Sequence, residues 1–169
     1  MKKLFAVLLA LTMACSLAFT AMAEEIDWSQ YPETFEEWSL DNLESYFRAT
    51  GVFCGDFRSE NMPEDELKSL NITSCTMYAG VEGGAFLDLI FYYNEAETEG
   101  AAAALDTVLE KGFIASPDGD EANNVNIDAV IGKFVFFYSL SKENTEHIDL
   151  IVKSMKMLEE HFGVAPVFF

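Results

Sequence analysis

The sequence predicts an α+β fold, an antiparallel sheet of four to five strands built from two β-hairpins, each followed by a helix, with a further helix ahead of them. Three observations carry this. Cys75 to Val81 and Ala85 to Tyr93 are β-prone runs separated by Glu82-Gly83-Gly84, where Gly-Gly supplies the positive φ of a tight turn. Val125 to Ile131 and Phe134 to Leu140 repeat the pattern around Gly132-Lys133. Behind each pair the apolar period changes from two to that of a helix. The halves can be overlaid so that Gly84 meets Gly132, Phe86 meets Phe134 and Glu95 meets Glu143, an agreement that simple alternation of hairpins and helices also produces. Half of the 169 residues are apolar and 14% are aromatic, which is material for one packed core.

Residues 1–23 read as an export signal. Lys2-Lys3, the apolar stretch from Leu4 to Ala21 and Ala21-Met22-Ala23 before Glu24 match the charged start, apolar middle and A-x-A end of a bacterial-looking signal peptide. The alternative is a lipoprotein anchored at Cys15, behind Thr12-Met13-Ala14, but the apolar run continues past it to Phe19. No later apolar stretch approaches about 18 residues without charge, so the rest is not expected to span a membrane. Residues 24–34 read as a polar leader and 35–169 as a single domain.

Within that domain, Thr34-Phe35-Glu36-Glu37 matches a capping box, and Phe35, Trp38, Leu43, Tyr46 and Phe47 fall near helical spacing up to Gly51. Val52 to Cys54 begin a short extended piece. Ser59 to Glu66 read as a turn into a brief helix, with Pro63 and acids in its first turn and an end near Asn71. After the first hairpin, Asn94 with Glu97 opens a helix whose stripe of Ala101, Ala104, Leu105, Val108 and Leu109 ends at Gly112. A polar loop from Ser116 to Asn124 leads to the second hairpin. Ser141 or Asn144 starts the last helix, with Ile148, Ile151, Val152, Met155 and Phe162 on one face and Gly163 at its end.

Two-residue turns fix which residues share a face. In the second hairpin Phe134, Phe136, Tyr138 and Leu140 share one with Val125, Ile127, Ala129 and Ile131, and that face is core. In the first, Leu87, Leu89, Phe91 and Tyr93 lie on one side, expected to join Phe134, Phe136 and Tyr138. Phe86, Asp88, Ile90 and Tyr92 lie on the other with Cys75, Met77, Ala79 and Val81. The first helix either covers that second side or leaves open a patch of rings around one carboxylate, suited to stacking on a sugar or docking an apolar segment. Phe86, Asp88 and Tyr92 are therefore the candidate ligand-binding residues.

Other chemistry is sparse. The 29 acidic residues outweigh 10 basic ones, a net charge of −19, which excludes a nucleic acid as natural partner. His147 and His161 fall on the last helix roughly 21 Å apart, too far to share a metal, and read as a solvated helix flank and a cation at a helix C-terminus. Asp118, Asp120 and Glu121 form an oxygen-rich loop that could take calcium weakly, although Ala122 breaks the EF-hand pattern. Cys54 and Cys75 could close one disulfide in an exported chain, or stay reduced as small buried residues. No other cofactor is indicated. The expectation is a secreted, non-catalytic module that binds a protein or small ligand at the cell surface or outside the cell. The alternatives are a small extracellular hydrolase using dispersed carboxylates and a structural or inhibitor-like envelope protein.

Overall fold

In the computed structural model, which describes residues 26–53, 57–80, 87–116, 119–138 and 145–169, helices and antiparallel strands are mixed as an α+β fold requires. The helices are α1 (Leu40–Ala49), α2 (Glu64–Ser69), α3 (Ala101–Lys111) and α4 (Thr145–Phe162). The strands are β1 (Phe57–Asn61), β2 (Ser74–Gly80), β3 (Leu87–Tyr92), β4 (Phe113–Ile114), β5 (Val125–Asn126), β6 (Ala129–Ile131), β7 (Phe134–Phe137) and β8 (Val167–Phe168). Six of them form one sheet in the order β1-β2-β3-β7-β6-β8, and β4 pairs with β5 apart from it. Six strands exceed the four or five expected because β1 and β8 add themselves to the two edges. Neither shows clean alternation: Phe57-Arg58-Ser59-Glu60-Asn61 is largely polar, and β8 has two residues.

Pairing in the first hairpin runs one residue away from that of a two-residue Gly-Gly turn. Cys75 faces Phe91, Met77 faces Leu89, Tyr78 faces Asp88 and Ala79 faces Leu87. An odd number of residues, 80–86, thus connects the paired positions, and a one-residue slip moves every partner to the opposite face. Tyr78, Ile90 and Tyr92 therefore join Phe134, Phe136 and Tyr138, while Cys75, Phe91 and Tyr93 join Val130 and Val135. This reverses the expected grouping. Gly83-Gly84 lies outside the described residues. The second hairpin keeps the expected register, with Ile131 opposite Phe134 and Ala129 opposite Phe136. Its first strand is shorter than expected because the chain bends at Asp128. There the Asp128 carboxylate accepts the Tyr138 N–H at 2.9 Å, Ile127 donates its N–H to the Gly112 carbonyl, and Val125 turns away with β5.

Both faces of the sheet are covered, giving three layers. On one side α1 and α4 bury Leu43, Tyr46, Phe47, Ile151, Met155 and Leu158 against Ile90, Tyr92 and Phe134. On the other α2 and α3 bury Leu67, Ala101 and Val108 against Phe91 and Val135, with Ala104, Leu105 and Leu109 packed alongside. The Tyr46 hydroxyl donates to the Ser154 carbonyl at 2.8 Å, tying α1 to α4. The segment expected to be a polar leader contributes Ile26, Trp28 and Tyr31 to the first of these layers.

Helix ends differ from the expected ones for local reasons. Thr34 caps only a single 3-10 turn, Phe35–Glu37, because Trp38 takes an extended backbone to bury its ring completely. The capping box is instead Ser39 with Asn42, whose side chains each accept the other's backbone N–H. Asn94 opens only turns. The exposed Glu95 carboxylate accepts the N–H groups of Ala102 and Gly100 and so caps α3.

Gly132 turns the β6–β7 hairpin with φ +52°, and a Cβ there would lie 2.8 Å from Cε1 of Phe35. Gly132→Ala should therefore cost about 2 kcal/mol through strain and overpacking, read as a lower urea midpoint at unchanged slope.

Candidate functional site

Asp88 sits on β3, in the interior of the sheet, and is 2% exposed. A carboxylate so placed needs a partner, and α4 supplies one: His147 Nε2 lies 2.7 Å from Asp88 Oδ2, with the imidazole itself 5% exposed. The reading of His147 from sequence, as part of a solvated helix flank, is overturned, and Asp88 is not the carboxylate of an open patch. Tyr78 stands opposite Asp88 across β2. The Tyr138 phenol is raised above its ordinary pKa, first by burial and then by the charges of Asp128 and Asp88. The pair is a polar lock between sheet and helix, closed away from solvent.

Tyr92 is also buried, 5% exposed, with its ring stacked on Phe134 at 5.2 Å between centroids. Of the two fates open to this side of the hairpin, covered or bare, α1 and α4 impose the first. Phe86 lies outside the described residues. His161 is exposed at the end of α4, and its ring stacks flat on Trp28, 4.0 Å between centroids. Trp28 was hidden in a segment with no helical or strand period, so this contact left no signal in the sequence.

In the acidic loop, Asp120 is occupied in accepting the Ala122 N–H at the start of a 3-10 turn, and Glu121 is exposed. Asp118 lies outside the described residues. Among the described residues no three His, Cys, Asp or Glu side chains cluster around a point where a metal would fit. Cys75 is a free thiol, 1% exposed, and burial pushes its pKa up to about 12. The disulfide is thus not part of the structure, and Cys54 lies outside the described residues.

A concavity lies at the end of the sheet, between the Gly132-Lys133 turn and the first turn of α3. It encloses about 340 Å³. Phe35, Tyr93, Ala102, Leu105 and Val164 give it apolar walls, and Glu36, Asn94, Glu95 and Lys133 form a polar rim. The rim is held in place. The Lys133 ammonium donates to the Glu36 carbonyl and stands 5.0 Å from the centre of the Tyr92 ring. The N–H groups of Ala102 and Gly100 hold the Glu95 carboxyl below its ordinary pKa.

No family model, curated protein or solved structure matches the chain. Function must therefore be argued from these side chains. Sequence reasoning missed the cleft because its lining comes from five separate segments. Its one local signal was the Gly132-Lys133 turn. Among the described residues no helix is long and apolar enough to cross a membrane.

Removing one partner from the buried pair should be severe. His147→Ala or Asp88→Leu alone should each cost about 3–5 kcal/mol, because each breaks a hydrogen bond between two buried polar groups. Asp88→Leu/His147→Phe together should cost clearly less than the two single losses combined, as read from urea unfolding of all four chains. In a Cys15→Ser/Cys54→Ser chain, alkylation of Cys75 by iodoacetamide at neutral pH should be slow when folded and fast in denaturant.

Proposed function

We propose that this chain is an exported, non-catalytic module that binds a small, partly apolar ligand, or one side chain of a partner, in the cleft beside the Gly132-Lys133 turn. The observation that carries the reading is the cleft itself: an apolar wall of Phe35, Leu105 and Val164 beneath a fixed charged rim, in the size range of small-molecule sites. Export is supported by the signal-like pattern of residues 1–23 and places the ligand at the cell surface or outside the cell. The hydrolase alternative is less well supported, because the carboxylate and imidazole that lie together, Asp88 and His147, are buried and bonded to each other. An acidic chain whose rim carries Glu36 and Glu95 favours neutral or cationic ligands over anions.

The test is a fragment screen read by melting temperature. A ligand present at a hundred times its Kd should stabilise the folded chain by about 2.7 kcal/mol. Ala102→Trp places an indole in the cleft from an exposed helical position. It should abolish the shift while the unliganded melting temperature stays close to that of the parent. Fragments that shift parent and variant alike would show that the cleft is not the binding site.

A further inference from the structure

A second pocket opens at the β1 edge of the sheet, on the α2 and α3 side. It encloses about 250 Å³, and its lining includes Cys75, Met62 and Met77. The strand register explains why three sulfur-bearing residues line it. Cys75 and Met77 are two apart on β2 and so project to one face. Met62 follows β1 and donates its N–H to the Cys75 carbonyl at 2.9 Å, which sets it opposite Cys75 and on that same face. Directly opposed residues hold their Cβ atoms about 5 Å apart, and positions two along a strand about 7 Å. Three sulfurs bound to one ion at about 2.3 Å lie about 4 Å from one another, a triangle that two flexible methionine arms can complete around a fixed thiol. Glu60, opposite Met77, adds a carboxylate to its lining.

We propose that this pocket binds a soft monovalent metal ion, Cu(I) or its congener Ag(I), through the Cys75 thiolate and the Met62 and Met77 thioethers. Thiolate and thioether donors select such ions over calcium and magnesium. Binding replaces the Cys75 S–H bond with a metal–sulfur bond and releases the proton to solvent. The thioethers donate lone pairs, and no atom changes oxidation state. The site is separate from the cleft beside Gly132.

The experiment uses the purified chain bearing Cys15→Ser and Cys54→Ser, so that Cys75 is its one thiol, titrated without oxygen against Cu(I) held by bicinchoninate. One Cu(I) per chain should be withdrawn, with a sulfur-to-copper absorption band in the near ultraviolet. Met62→Leu/Met77→Leu conserves side-chain volume and should keep the melting temperature while weakening Cu(I) binding about tenfold or more. Cys75→Ser should abolish binding. The proposal is overturned if the chain leaves Cu(I) with bicinchoninate, if the double methionine variant binds as tightly as its parent, or if Cys75→Ser binds undiminished.

Discussion

The rest of the structure depends on β3 having to bury both of its faces. Its residues run Leu-Asp-Leu-Ile-Phe-Tyr, apolar at nearly every position, and it lies between β2 and β7 rather than at an edge. A strand of that kind cannot turn one face to water as a half-buried antiparallel strand does. Two layers of helix must be found for it. The chain draws one from its ends, α1 and α4, and the other from its middle, α2 and α3. The one charged residue of β3, Asp88, is then trapped under the first layer, and His147 follows from the need to satisfy it. Among the described residues, the two pockets proposed as binding sites lie where this double cover ends, one at the end of the sheet and one at its edge.

Much of this was legible in the sequence. The stripe from Ala101 to Leu109, the Gly112 and Gly163 terminators and the Gly132-Lys133 turn all report local physics, period and backbone conformation, and the structure keeps them. The apolar character of both sides of the first hairpin was also visible, and with it the choice between a closed body and an open patch. What a single hairpin cannot reveal is which choice is made. That is decided by α1 and α4, whose residues lie far from β3 in sequence.

The exchange of the two faces of the first hairpin is a matter of parity. Gly83-Gly84 suggested an even connection, and the pairing of Ala79 with Leu87 is odd, so one residue of difference exchanged the two faces. Cys75 and Met77 share a face in either register; Met62 joins them through the pairing of β1 with β2, and β1 is too polar to read as a strand, which is why no sulfur cluster could be read from spacing alone. The Asp88–His147 contact was illegible for a different reason. The His147 side had a more common solvent-facing explanation, and the contact joins positions with a helix and four strands between them.

The bond from Tyr46 to the Ser154 carbonyl spans 108 residues of chain. The layer it belongs to joins the first helix to the last, whereas α2, β2, β3 and α3 follow one another closely. Contacts of such long range form late and slowly, since the loop between them must close before they return any energy. During synthesis α1 leaves the ribosome early, and the helix beside it in the layer, α4, follows last. The face of the sheet that carries Tyr92, Phe134 and Phe136 gains its full cover only once α4 has followed β7, and until then an aromatic surface is open to aggregation or to a chaperone.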